Sequence, residues 1–82
     1  MKKIQYMVQE SNKKKREEFY HYILDHYSLK THDSKEEMIN SHFPFVVDFK
    51  KQDFWICNSI TCCAIASTKG RIISIEDFIS MV

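Results

Sequence analysis

Phe45-Val46-Val47-Asp48-Phe49, Lys50-Lys51-Gln52-Asp53 and Phe54-Trp55-Ile56-Cys57 form the stretch whose reading decides the fold. The first segment alternates, with Phe45, Val47 and Phe49 on one face and Val46 and Asp48 on the other, the period-2 signature of a half-buried strand. The third repeats it, with Phe54 and Ile56 on one side and Trp55 and Cys57 on the other. The polar link between them is four residues long and suits a hairpin loop built on a type I turn, with no glycine or asparagine to name the turn further. A central β-hairpin over about 45–57 follows.

On the C-terminal side, Ser59 offers an N-cap for a helix from Ile60 to about Thr68, closed by Gly70, the only glycine in the chain. Residues 60–66 carry no charge, so this helix is expected to be buried on more than one side, between sheet and helix or against a second copy of the chain. Arg71-Ile72-Ile73 is a short strand candidate. Ser74 with Asp77 caps a terminal helix that Phe78, Ile79 and Val82 would fix to the core.

On the N-terminal side, Lys3–Gln9 alternates with Ile4, Tyr6 and Val8 on one face, which predicts a strand. Ser11 is the expected N-cap of a helix from about Asn12 to Tyr27, with an apolar stripe of Phe19, Tyr20, Ile23, Leu24 and Tyr27. Residues 28–32 read as a connector. Asp33 with Glu36, or Ser34 with Glu37, starts a shorter helix through about Ser41 with Met38 and Ile39 inward, and Pro44 ends it by disfavouring helical geometry at Phe43. The expectation is an α+β fold: one small domain over residues 1–82, its antiparallel sheet built on the hairpin and packed by two to four helices. With 82 residues and 44% hydrophobic content there is material for one core and not for two.

Charge is near balance overall, at +1, but not evenly spread. Residues 1–16 hold six cations against Glu10, and ten of the eleven carboxylates follow residue 16. A strongly basic nucleic-acid binder and an acidic nucleic-acid mimic are both disfavoured. No apolar run has the length of a membrane span, and the start of the chain is too polar for a signal peptide. The three cysteines are odd in number, with two adjacent, so the expected setting is a reducing cytoplasm.

Chemistry-bearing patterns are sparse. Cys57, Cys62 and Cys63 do not have the spacing that brings two sulfurs to one side of a zinc ion, and His21 and His26, five apart, share a helix face poorly. With one glycine there is no phosphate-cradling loop. Glu17-Glu18, Glu36-Glu37 and Glu76-Asp77 fall in first helical turns, where capping and the helix dipole explain them. No metal, no cofactor and no catalytic residue is expected.

Two binding readings remain. Lys13, Lys14, Lys15 and Arg16 crowd the positive end of a helix dipole, the unfavourable place for cations. Such a run is either a solvated face or a contact surface. With Tyr20 and Tyr22 beside it, and with Lys50 and Lys51 in the hairpin turn, it would suit nucleic acid, touching phosphates and stacking bases. Trp55 and Val46, on the sheet face opposite Phe45, either form an exposed patch of the kind interfaces use as anchors or are covered by helices. The glycine-poor, Lys/Ile/Phe/Tyr-rich composition resembles that of small accessory proteins encoded by phages of AT-rich genome, which often act by occluding a host enzyme or defence protein; no motif carries the resemblance. It implies a non-enzymatic, anti-defence protein inhibitor, with nucleic-acid binding as the alternative.

Overall fold

Asp48 closes the hairpin. Its Oδ1 accepts from the backbone N–H groups of Lys50 and Lys51, each at 3.0 Å, so an aspartate just before the loop supplies the turn chemistry that the loop itself lacks. The missing glycine is felt at Gln52, whose φ of 58° lies in the left-handed region that a side chain disfavours. These contacts come from a computed structural model, which describes residues 5–57 and 72–81. The expectations for Ile4, for the 60–68 helix with Ser59 and Gly70, for Cys62 and Cys63, for Arg71 and for Val82 lie outside the described residues.

The described elements are β1 (Gln5–Val8), α1 (Lys13–His26), β2 (Lys30–Thr31), α2 (Lys35–Asn40), β3 (Phe45–Asp48), β4 (Asp53–Ile56), β5 (Ile72–Ile73) and α3 (Ile75–Met81). The strands form one sheet in the order β2-β4-β3-β1-β5. β3 pairs antiparallel with β4 and with β1, but β5 lies parallel to β1 and β2 parallel to β4. The sheet is therefore mixed, not antiparallel throughout. The parallel pairs sit at its two edges and are two residues long, too short to leave an alternation in sequence; β2 falls within what reads as a connector.

Register sorts the side chains. Val8, Phe45 and Ile56 form one row across β1, β3 and β4, and Tyr6, Val47 and Phe54 the next. All six are buried and join Phe19 and Ile23 of α1, Met38 of α2 and Phe78 of α3 in a single core. Phe19 is its hub, with ring centroids 5.2 Å from Phe45, 5.4 Å from Phe78 and 6.1 Å from Phe54. The opposite face carries Met7, Val46 and Trp55 in one row and Gln5, Asp48 and Asp53 in the other.

Two helix caps follow the sequence signals and one differs. Ser34 caps α2 by accepting from Glu37 N–H, and Ser74 Oγ accepts from Asp77 N–H at α3. At α1 the cap is Asn12, which accepts from Lys15 N–H at 3.1 Å, and not Ser11. The inward stripe of α1 also shifts. Arg16, Phe19 and Ile23 are its buried residues, whereas Leu24 is 37% exposed. In α3, Phe78 is buried and Ile79 is not.

Candidate functional site

Arg16 leaves the basic run on α1. Three residues beyond Lys13, it falls on the face that meets α2 and is 1% exposed, so the expectation that it joins an accessible cationic surface does not hold. Its Nε and Nη2 donate to the Met38 carbonyl at 3.0 and 2.6 Å, and its Nη1 donates to the Glu10 carbonyl at 2.9 Å. Met38 lies in the last turn of α2, where carbonyls lack helical partners, so the guanidinium caps that helix end with a favourable charge. The same guanidinium lies over the Phe45 ring, 4.1 Å from its centroid. Burial pulls its pKa below the ordinary arginine value, and the Glu10 charge partly restores it.

The remaining expected site residues do not form one surface. Lys13, Lys14 and Lys15 are exposed in the first turn of α1, which holds no carboxylate. Lys50 and Lys51 are exposed in the hairpin turn. That turn lies at the other end of α1: the neighbouring Phe49 ring is 5.0 Å from Tyr27, the C-cap of a helix about 20 Å long. Trp55 is on the sheet face away from α1, half-buried, with its ring 6.4 Å from that of His32. Val46 beside it is only 4% exposed, so the two do not make an open apolar patch. His32 Nε2 also lies 2.8 Å from Asp53 Oδ1, tying the β2 edge to β4.

Tyr22 and Lys15 do come together, in a groove between α1 and α3. Its apolar lining is Phe19 and Tyr22 from α1 and Ile75 and Ile79 from α3; its charged lining is Lys15, Glu18 and Glu76; its volume is about 250 Å³. Lys15, Phe19 and Tyr22 follow one another at helical spacing, which places them along one wall. Ile79 is 46% exposed there, a large aliphatic side chain left half in water. Tyr22 is held by stacking on His26, with centroids 4.1 Å apart, and by its parallel ring contact with Phe19.

Comparison with known proteins finds no match: no protein-family model, no curated protein and no solved structure is similar to this chain. The site therefore stands on its own geometry. Among the described residues, no group of three or more His, Cys, Asp or Glu side chains is placed to hold a metal ion, and no helix is long and apolar enough to cross a membrane.

Of the groove residues, the sequence patterns single out Lys15 and Tyr22 as candidate contacts and do not single out Glu18, Phe19, Ile75, Glu76 and Ile79. One signal was available. Tyr22 lies off the apolar stripe of α1, and an aromatic residue there needs either a second neighbour or water. The identity of that neighbour, α3, depends on where the chain returns after β5, which local pattern does not reveal.

Proposed function

We propose that this chain is a small non-enzymatic protein-binding module, cytoplasmic in setting, that inhibits or redirects a bacterial enzyme or defence protein by occluding it, in the manner of phage accessory proteins. The observation that carries the reading is the α1–α3 groove: apolar side chains from two helices line a cleft in which Ile79 remains 46% exposed. Half-exposed large apolar groups in a cleft, rimmed by charge, are the material of interface anchors. The composition supports the phage setting, and the sparse catalytic and metal-binding patterns in the sequence support a binder over an enzyme.

Nucleic-acid binding is the second reading, favoured by Lys13, Lys14 and Lys15, which are exposed and have no ion pair among the described residues. It is weakened by the separation of these lysines from Lys50 and Lys51. The deciding experiment is a pull-down from bacterial lysate with the tagged chain and with its Ile79→Ser variant, each with and without nuclease. One stoichiometric protein that survives nuclease and is lost with Ile79→Ser supports the module. Retention that depends on nucleic acid overturns it, and a nuclease-resistant protein held equally by Ile79→Ser keeps the module but moves its surface away from the groove.

A further inference from the structure

The groove constrains the chemistry of what it can hold. Its volume of about 250 Å³ is below the roughly 300–1,000 Å³ of ordinary small-molecule sites, a scale that suits one bulky side chain better than a cofactor. Its lining includes Lys15, and Lys13 and Lys14 occupy the same helical turn. These three cations sit at the positive end of the α1 dipole with no carboxylate in the turn to offset them, so carboxylates from a partner would relieve a local repulsion.

The other charged residues narrow the choice further. Glu18 and Glu76 line the same groove, and Glu17 is one residue away, with its carboxylate 3.7 Å from Lys35. A polyanion laid along α1 would bring phosphates against Glu18 and Glu76 as well as against the lysines. A peptide can place one or two carboxylates at the lysine end and an uncharged anchor deeper in the cleft. The mixed charge of the groove thus fits a polypeptide and opposes a continuous phosphate backbone.

We infer that the groove receives a protein segment with one bulky aromatic or aliphatic anchor and one or two carboxylates within a helical turn of it. The anchor sits between Tyr22 and Ile79, and the carboxylates face Lys13, Lys14 and Lys15. This assignment rests on the protein-binding reading and specifies its partner.

The test uses the full chain to pan a displayed library of random dodecapeptides. Enriched sequences are resynthesised, and their affinity is measured by fluorescence polarisation against the wild type, Ile79→Ser, Lys15→Glu and Lys14→Glu, all four checked for folding by circular dichroism. The altered positions are exposed, so the fold should persist. The expected result is a set of peptides pairing Phe, Trp, Tyr or Leu with a nearby Asp or Glu, whose affinity falls about tenfold or more in Ile79→Ser and in Lys15→Glu. Replacing the peptide carboxylate by its amide should produce a similar loss in the wild type and little in Lys15→Glu. Peptides that lack acidic residues, or whose binding ignores Ile79→Ser, overturn this assignment and leave the protein-binding reading intact. Failure to enrich any peptide, with or without salt-dependent binding of a labelled single-stranded oligonucleotide, counts against both.

Discussion

Arg16 shows how one side chain can reverse the meaning of a charge run. Its neighbours Lys13, Lys14 and Lys15 are solvated, but three N–H···O contacts to two carbonyls and a ring beneath it make Arg16 a structural residue. The planar fork matters: it reaches Met38 and Glu10 at once while lying flat on Phe45, which a lysine ammonium cannot do. Arg16→Met keeps much of the aliphatic volume but leaves the Met38 and Glu10 carbonyls without donors. It should cost about 2–4 kcal/mol, read as a lower urea midpoint at unchanged slope. Arg16→Lys should recover only part of this. A loss within about 0.5 kcal/mol, the usual range for exposed positions, would show that Arg16 belongs to the solvated run after all.

At the scale of the element, α1 supplies Phe19 and Ile23 to the core and carries the least favourable start. Its first turn is basic where the dipole wants acid, so the Asn12 cap has more to offset than an ordinary N-cap. Asn12 accepts from Lys15 N–H, and the Glu10 carboxylate accepts from Asn12 N–H at 3.0 Å, which together fix the approach to the helix. Asn12→Ala should therefore destabilise by about 1 kcal/mol, whereas Ser11→Ala should leave stability nearly unchanged. Thermal melts of the two variants side by side decide between the caps, since a larger loss for Ser11→Ala would restore the cap that local sequence suggests. α2 shows a related economy: at six residues it is too short to stand alone, and its two ends are held by Ser34 and by Arg16 from another helix.

Across the whole molecule, Tyr27 joins the end of α1 to the hairpin turn, with its ring 5.0 Å from Phe49. Burial pushes its phenol up, and Tyr22, through charge and a side-chain hydrogen bond, and Tyr6 push it further the same way. A group whose folded pKa is raised contributes stability fully below its unfolded pKa, about 10 for tyrosine, and loses it as pH rises through the folded value. The wild type should accordingly lose melting temperature more steeply above about pH 10 than Tyr27→Phe does, and parallel curves would refute the coupling. The contact itself could not be read from sequence, although both of its ends could. Much else was legible: the alternation of Tyr6 with Val8 and of Phe45 with Val47, the serine caps at Ser34 and Ser74, and the inward Met38, Ile39 and Phe78 all report local geometry. The two-residue edge strands were not, because pairing at that length leaves no periodicity. Nor were the inward turn of Arg16 and the exposure of Leu24 and Ile79, because a helix has several faces and only its neighbours select the buried one. Sequence alone thus determined an α+β chain built around the Phe45–Ile56 segments, since strand period and capping are properties of adjacent residues. Only the tertiary structure decided that the sheet is mixed, that Arg16 is interior, and that Lys15 and Tyr22 meet Ile75 and Ile79 across a groove, since contacts between residues some sixty positions apart arise from how elements pack.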